Sequence, residues 1–322
     1  MVKEKLIAVR KKSQPKGQLI VDWFVGKRCN YDCSYCTPDI HDMTSKHLPL
    51  AYLTSIGDAL VKHAGPEKLQ IGFTGGEPTI HPEFLNLCAH LNSLGVKHMT
   101  TTTNLTRKVN YYLDLLQHML SLTVSHHFEY ENTAKFLQKV KQLHDRRPKN
   151  TDVRVQVMLH HVHFDACVQA VDFYKQNNIP YTLRRIRVKN KNTSSSDYTP
   201  EQLDWLAENS EPQWTNAVIF YKQHSEIKSQ QVHVNEISGS LRNNFNGWIC
   251  NAGVDYIHIN WDGQVYRGNC RQGGVLGNIT QPLALPTTPV TCQTTNCFCA
   301  PEISIRKHHP DVNINDFGFS ML

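Results

Sequence analysis

The stretch LIVDWFVGKRCNYDCSYC (19–36) joins an apolar run to three closely spaced cysteines. Residues 19–25 are apolar apart from one aspartate, and such a run is typical of a buried β-strand. The thiols follow directly, as Cys29, Cys33 and Cys36, with three and then two residues between them. The sequence therefore predicts a loop at the carboxyl end of a strand that carries three possible metal ligands.

Three thiolates on one loop can bind three irons of a cubane cluster and leave the fourth iron open to an exchangeable ligand. The alternative is a zinc knuckle, but structural zinc prefers four ligands, commonly two pairs of cysteines. No fourth cysteine lies nearby in the sequence, although His41 or His47 could serve. The spacing and the strand-then-loop context favour iron and sulfur over zinc.

Strand-like and helix-like segments alternate along residues 18–188, giving six βα-type units with short connections. This pattern predicts a parallel sheet, either doubly wound or curved into a barrel. The predicted strands cover 19–25, 68–74, 97–103, 122–125, 153–159 and 181–188, and the predicted helices cover 50–64, 82–94, 108–120, 131–144 and 164–176. Cys88 and Cys167 fall on apolar helix faces, which favours core packing over metal binding.

Two polar motifs follow the second and third predicted strands. The second strand ends in FTGGEP (73–78), where paired glycines allow a ligand to approach the backbone closely and Glu77 can accept hydrogen bonds from an ammonium group. Asn104 ends the threonine-rich third strand, either as a cofactor contact or as a simple turn residue. Taken alone these are weak signals, but after a three-cysteine loop they gain weight.

The cysteine spacing and the GGEP motif resemble those of the radical S-adenosylmethionine (radical SAM) superfamily. Its signature is CxxxCxφC after the first strand of a partial barrel, and Tyr35 occupies the aromatic position φ here. The resemblance implies a [4Fe–4S] cluster on the three cysteines, bound S-adenosylmethionine, and a 5′-deoxyadenosyl radical that abstracts a substrate hydrogen. It also implies an electron donor such as flavodoxin or ferredoxin, and cofactor contacts from Tyr35, Gly75, Gly76, Glu77, Pro78 and Asn104.

The later strands place further polar residues at the same edge. Alternation along the fourth strand puts Ser125 and His127 on the face opposite Leu122 and Val124, pointing into the predicted barrel. We predict that His127 is catalytic and that Ser125 contacts the cofactor. The sixth strand adds Arg184, Arg185 and Arg187, of which Arg185 is our candidate partner for the cofactor carboxylate, and the alternative for each is a salt bridge or solvent.

Five cysteines fall within fifty residues near the end of the chain, and they cannot plausibly all be core residues. The segment around Cys250, the hairpin signal WDG (261–263) and Cys270 resembles the SPASM extension or its shorter twitch version. The resemblance implies one auxiliary [4Fe–4S] cluster held by four of five cysteines, and a separate zinc site is the alternative. The five candidates are Cys250, Cys270, Cys292, Cys297 and Cys299.

The fold class we predict is α/β: a partial (β/α)6 TIM-like barrel followed by a small C-terminal β-hairpin/helix auxiliary Fe–S domain. The expected segments are an N-terminal extension (1–18), the barrel (19–200), a connecting segment (201–246), the auxiliary domain (247–300) and a tail (301–322). The N-terminus lacks the apolar core of a secretory signal, and no run approaches the roughly 20 apolar residues of a membrane span. We therefore expect a cytoplasmic protein without a membrane partner.

The 322 residues carry a formal charge of +6, which suits an anionic ligand but not a dedicated nucleic-acid binder. The leading hypothesis is a radical SAM oxidoreductase that acts on a small polar or anionic molecule, with the auxiliary cluster as electron acceptor or substrate anchor. The alternative is a peptide-modifying enzyme that crosslinks or epimerises its substrate. RNA modification is less favoured, because Arg184, Arg185, Arg187, Lys189 and Lys191 are the only clear basic cluster.

Overall fold

The computed structural model describes residues 5–14, 17–36, 40–186, 198–209, 214–223, 226–297 and 299–313. Its strands are β1 (Lys5–Lys11), β2 (Leu19–Gly26), β3 (Leu69–Gly75), β4 (His98–Thr103), β5 (Ser121–His126), β6 (Asp152–Leu159), β7 (Tyr181–Arg185), β8 (Ala217–Gln223), β9 (Glu226–Val232), β10 (Ile249–Cys250), β11 (Tyr256–Ile259), β12 (Gln264–Tyr266), β13 (Val275–Asn278), β14 (Val290–Thr291) and β15 (Lys307–His308). Its α-helices are α1 (Leu50–Ala64), α2 (Phe84–Ser93), α3 (Val109–Leu115), α4 (Thr133–Arg146), α5 (Phe164–Gln176), α6 (Pro200–Asn209), α7 (Val234–Gly239) and α8 (Ala300–Ile303).

The chain divides into two compact units, of which Trp23–Gln213 is the larger. In this larger unit the sheet order is β2-β3-β4-β5-β6-β7, and the strands from β3 to β7 pair in parallel. One helix follows each strand, from α1 after β2 to α6 after β7. The predicted α/β class and the six-unit partial barrel are therefore confirmed.

Side-chain alternation explains how this sheet is packed. Val153, Val155 and Val157 on β6 are buried, whereas Arg154 and Gln156 between them are partly exposed. The apolar stripes of the helices are buried, and they include both core cysteines, Cys88 on α2 and Cys167 on α5. The last predicted strand, 181–188, is formed as Tyr181–Arg185, and Arg187, Lys189 and Lys191 lie outside the described residues.

The smaller unit comprises Met1–Asp22 and Trp214–Leu322. One of its sheets has the order β14-β10-β15-β1-β8-β9, and β11, β12 and β13 form an antiparallel meander. The predicted hairpin is present as β11 and β12, and Gly263 in its turn has a φ of +77° that favours glycine. No described helix is both long enough and apolar enough to cross a bilayer.

The N-terminal extension contains a strand that the sequence did not indicate. This strand, β1, pairs with β8 and β15, and its residues Ile7, Ala8 and Val9 are buried. The connecting segment, 201–246, contains α6, β8, β9 and α7. The pairing of β1 joins distant parts of the sequence, which local periodicity does not report.

The fully buried His126 on β5 gives a testable link between this packing and pH. Its ring stacks between Phe128 and Phe136, with centroids 3.9 and 4.1 Å away, and Nδ1 lies 2.9 Å from the Tyr174 hydroxyl. Burial, reinforced by the nearby charge of His127, lowers the pKa of His126 from 6.5 to about 3. Between these pH values the unfolded chain binds a proton that the folded chain does not, so stability is lost as pH falls below 6.5.

The free energy of unfolding of the wild type should therefore fall between pH 7 and pH 5, and in His126→Phe this fall should be smaller by about 2 kcal/mol. Phenylalanine fits the aromatic stack and carries no titrating group. Urea unfolding at both pH values measures this difference, with the exposed His98→Phe as the matched control. An acid sensitivity in His126→Phe equal to that of the wild type would contradict the assignment.

Candidate functional site

The cysteine loop follows β2 without a break. The Cys29 amide donates to the Asp42 carbonyl at 2.7 Å, and the Cys36 amide donates to the Cys33 carbonyl at 3.0 Å. The Tyr31 amide points at Cys29 Sγ at 3.4 Å, as an amide does toward a thiolate ligand. Cys33 is buried, and the other two thiols are partly buried.

Without metal the thiols of Cys29 and Cys33 stay protonated. Burial raises the pKa of Cys29 to about 11, and the negative charges of Glu77 and Cys36 add to the shift. The pKa of Cys33 also lies well above its ordinary value, through its hydrogen bond with Cys36 and through burial. Metal binding must therefore release protons from this loop.

The donor set fits an iron–sulfur cluster better than one zinc ion. Within the described ranges, no three His, Cys, Asp or Glu side chains form a ready site for a single metal ion. His41 lies 3.3 Å from the carboxylate of Asp32 within the loop, and His47 packs edge-on against His81 with ring centroids 4.8 Å apart, so each imidazole has a partner other than a thiol. Three soft thiolates on one loop suit a cubane, in which each thiolate binds its own iron.

The glycines of the GGEP motif let its backbone pack directly on the backbone that leads into the cysteines. The Gly76 amide donates to the Gly26 carbonyl and the Glu77 amide to the Arg28 carbonyl, both at 2.9 Å. A Cβ on Gly76 would lie 2.3 Å from the carbonyl oxygens of both Lys27 and Arg28. These glycines therefore set the position of the cysteine loop, and their predicted contact with the cofactor stays a prediction.

The Glu77 carboxylate is buried and already accepts several hydrogen bonds from the chain. Oε1 accepts from the Thr79 amide and hydroxyl and from the Thr103 hydroxyl, while Oε2 accepts from the Asn104 amide at 2.6 Å. Burial raises its pKa, and these donors oppose that rise. Glu77 thus joins the ends of β3 and β4, and its predicted role toward the cofactor ammonium rests on the remaining acceptor capacity of Oε2. Pro78 begins a short 3-10 turn, Pro78–Ile80, behind it.

Asn104 forms a second link between a strand end and the loop. Its Nδ2 donates to Asn30 Oδ1 at 2.9 Å, and its Oδ1 accepts from the Thr106 hydroxyl. Asn30 lies between Cys29 and Tyr31, so the end of β4 is tied directly to the signature motif. Asn104 therefore holds the motif itself, and its predicted contact with the cofactor stays a prediction.

His127 follows β5 and contacts two members of the motif. Its Nδ1 lies 2.6 Å from the Tyr35 hydroxyl and 3.5 Å from Cys33 Sγ, and its ring stacks on that of Tyr35. Burial lowers the pKa of His127 to about 4, although the charge of Glu129 opposes the shift. The imidazole is therefore neutral near pH 7, and Nδ1 can accept the hydrogen bond that Tyr35 donates.

The segment after His127 forms hydrogen bonds to the cysteine loop through side chains that the sequence did not single out. Glu129 accepts hydrogen bonds from the Ser34 amide and hydroxyl and lies 3.0 Å from His160 Nε2. Glu131 accepts from the Tyr31 hydroxyl, while the Tyr130 hydroxyl donates to the Asp32 carbonyl. The sequence did contain one signal for these contacts, because two carboxylates, Glu129 and Glu131, come directly after a strand whose end faces the cysteines.

The remaining predicted contacts lie at or near the same edge. Ser125 is buried on the same face of β5 as His127. Arg185 ends β7, and its guanidinium lies 5.2 Å from the centre of the Tyr198 ring. Neither position by itself tests the predicted cofactor contact.

A pocket at the same strand ends is lined by Glu77 together with Arg28, Lys46, His47 and His81. Burial lowers the pKa values of His47 and His81, so the positive charge of the pocket near pH 7 comes from Arg28 and Lys46. Two basic side chains beside one carboxylate suit a small anionic group.

Several of the five later cysteines of the smaller unit influence one another electrostatically. Burial raises the pKa of Cys270 to about 11 and that of Cys297 to about 12, and the charges of Cys250 and Cys292 contribute to both shifts. Cys299 has a further neighbour, since Asn269 Nδ2 lies 2.9 Å from its Sγ, and the charge of Cys297 contributes to its raised pKa. Cys250 and Cys292 thus act on both Cys270 and Cys297, whereas Cys299 is linked to this group through Cys297.

A buried lysine, Lys307 on β15, faces this group. Its Nζ donates to the Glu302 carbonyl at 2.6 Å and lies 4.0 Å from Cys297 Sγ. Burial alone would lower the pKa of Lys307, but attraction to Cys297, Cys250 and other negative groups outweighs burial and raises it.

Comparison with known proteins identifies the larger unit. Residues 23–181 match the family model of the Radical SAM superfamily. This match covers the cysteine loop, the GGEP motif and the strand ends through β6. Residues 23–181 belong to the radical SAM superfamily, and this family uses S-adenosylmethionine and a [4Fe–4S] cluster.

Two curated relatives are similar to part of the chain. The mitochondrial GTP 3′,8-cyclase of Arabidopsis thaliana is 31% identical over 166 residues, which cover 45% of this chain and 40% of that protein. The GTP 3′,8-cyclase of Actinobacillus succinogenes is 31% identical over 77 residues, covering 24% and 23%. The chain therefore matches less than half the length of these relatives.

Solved structures share the fold at low sequence identity. SuiB of Streptococcus suis bound to the precursor peptide SuiA has a TM-score of 0.53 at 13% identity, covering 82% of this chain and 63% of that one. The protein anSMEcpe with bound AdoMet has a TM-score of 0.54 at 16% identity, covering 83% and 79%. At this identity the likeness concerns the fold.

Proposed function

We propose that this enzyme abstracts a hydrogen atom from a small anionic molecule, with a nucleotide as the first candidate, and that it carries one auxiliary [4Fe–4S] cluster. The observation that carries the proposal is the cysteine loop, which the ends of β3, β4 and β5 hold beside a basic pocket. The similarity to proteins named GTP 3′,8-cyclase supports a nucleotide.

In this proposal Cys29, Cys33 and Cys36 hold the radical SAM cluster, and the backbone of the GGEP motif receives the cofactor. When bound, S-adenosylmethionine and the cluster supply a 5′-deoxyadenosyl radical, given an electron from a donor such as flavodoxin or ferredoxin. The chain's own contribution is positioning. His127 is neutral near pH 7, so it serves as a hydrogen-bond partner of Tyr35 rather than as a general acid.

We propose that the auxiliary cluster binds Cys250, Cys270, Cys292 and Cys297, with Cys299 left over. The charges of Cys250 and Cys292 act on both Cys270 and Cys297, which supports one shared site where a metal would displace the thiol protons. Such a cluster would accept an electron from the substrate or bind the substrate directly. Its thiols lie with β10 and its neighbours, in the unit that also contains the predicted hairpin.

Anaerobic reconstitution with iron and sulfide tests the chemistry. We expect about eight irons per chain for two cubanes, and formation of 5′-deoxyadenosine after reduction. Cys33→Ala should remove that product, whereas Cys88→Ala, which removes a buried core thiol, should retain it. A colourless zinc protein that makes no 5′-deoxyadenosine would overturn the proposal.

The substrate class is tested by adding candidate molecules to the reduced enzyme. Nucleoside triphosphates should raise the rate of 5′-deoxyadenosine formation and should themselves be consumed. Stimulation by a peptide, with no response to any nucleotide, would instead support the peptide-modifying alternative. Salt-sensitive RNA binding with turnover would support RNA modification.

A further inference from the structure

Lys307 is an unusual residue, because it is only 4% exposed on a strand of two residues. Lysine is among the residues least often fully buried, and burying its ammonium without compensation costs several kcal/mol. Its position therefore requires partners that carry negative charge or strong dipoles.

The Nζ atom of Lys307 has three described contacts. It donates to the Glu302 carbonyl at 2.6 Å, lies 4.4 Å above the centre of the Phe245 ring, and lies 4.0 Å from Cys297 Sγ. The carbonyl and the ring stabilise a cation without neutralising it. The negative groups left to balance the charge are the thiol cluster, which Nζ approaches at Cys297, and the Glu302 carboxylate.

A buried carboxylate also lies near the thiol group. Glu302 is 5% exposed, and its Oε1 accepts from the amides of Asn269 and Cys270. Its negative charge raises the pKa values of Cys270 and Cys299. Lys307 is therefore the cation that the described contacts place beside a thiol of this group.

We propose that Lys307 is a positioning residue that offsets the negative charge of the auxiliary cluster and raises its reduction potential. This inference rests on the auxiliary cluster of the proposed function. The potential of an iron–sulfur cluster depends on its net charge, on hydrogen bonds to its sulfurs and on its exposure. A buried ammonium beside one ligand alters the first two of these, and it favours the reduced state because that state carries one more negative charge.

A potentiometric titration, monitored by electron paramagnetic resonance, tests the proposal. It is best performed on the full chain with Cys29→Ala, Cys33→Ala and Cys36→Ala, because that background removes the other cluster's signal. Adding Lys307→Met keeps the aliphatic stem and removes the charge. We expect the equilibrium constant for one-electron reduction to fall by at least about tenfold, which corresponds to a shift of about 59 mV to more negative potential.

Two further variants separate charge from packing. Lys307→Arg should keep a potential near that of the unsubstituted background, and Lys222→Met, which removes a charge from an exposed position on β8, should leave it unchanged. If Lys307→Met loses the cluster while Lys307→Arg retains it, the requirement for positive charge is also supported. An unchanged potential in Lys307→Met, or equal loss of iron in both Lys307 variants, would overturn the role of the charge.

The same titration separates a failure of this inference from a failure of the proposed auxiliary cluster. If the background variant binds no iron, the auxiliary cluster itself is wrong, and the role of Lys307 falls with it. If the cluster forms and Lys307→Met does not move its potential, only the inference fails.

Discussion

Replacing Gly76 with alanine should reduce 5′-deoxyadenosine formation by at least about 100-fold, because a misplacement of about 1 Å can cost that much in rate. The new Cβ would lie 2.3 Å from the carbonyl oxygens of Lys27 and Arg28, a separation that real Cβ atoms do not show. Both obstacles are backbone atoms and cannot rotate away. The GGEP strand end and the cysteine loop must therefore move apart.

That separation would break two backbone hydrogen bonds, from Gly76 to Gly26 and from Glu77 to Arg28. Overpacking of this kind typically lowers the free energy of unfolding by roughly 1–3 kcal/mol, and by more where the neighbouring atoms cannot shift. We expect lower iron content at the first cluster and weaker binding of S-adenosylmethionine, both measurable alongside the product assay.

The matched control is Gly239→Ala at the end of α7, where an added Cβ would meet no atom within 4 Å. This variant should keep full iron and activity. Wild-type product formation by Gly76→Ala would show that the close approach of the two backbones is not needed.

Much of the barrel was predictable because its information is local. Each βα unit combines a short apolar strand with a helix of 3.6-residue periodicity, and each is closed by a nearby turn. The strand-end positions of the GGEP motif, Asn104 and His127 followed from those strand boundaries. The three-cysteine loop was identifiable from its spacing alone, and the family comparison agrees with it.

What sequence could not predict depends on contacts between distant residues. The pairing of β1 with β8 joins segments more than 200 residues apart, so no local pattern marks residues 5–11 as part of a sheet. Glu129 and Glu131 look like ordinary loop carboxylates until the fold places Ser34 and Tyr31 against them.

The role of Glu77 shows a different limit. Its type and place were predicted, but the sequence suggested a carboxylate free to receive an ammonium group. The structure fills most of its acceptor capacity with Thr79, Thr103 and Asn104. A motif thus identifies a functional region more reliably than it assigns each atom within that region.

Serine substitutions in the five later cysteines should divide into two classes. Replacing Cys250, Cys270, Cys292 or Cys297 should remove about four of about eight irons, because a cubane that loses one of its four ligands is strongly destabilised. Cys299→Ser should retain both clusters. The reason is the environment of its thiol, which lies 2.9 Å from Asn269 Nδ2, whereas the other four thiols share one electrostatic neighbourhood.

Iron and sulfide analysis of all five variants separates the ligands from the leftover cysteine. Cys167→Ser on α5 is the control for a buried thiol outside the group. Product formation from S-adenosylmethionine alone should persist in every variant, since the first cluster is untouched, while substrate turnover should fail in the four-ligand class. Loss of four irons in Cys299→Ser together with full iron in one of the other four would reassign the ligands. Full iron in all five would contradict this division, because it would show that none of the four proposed ligands is individually required.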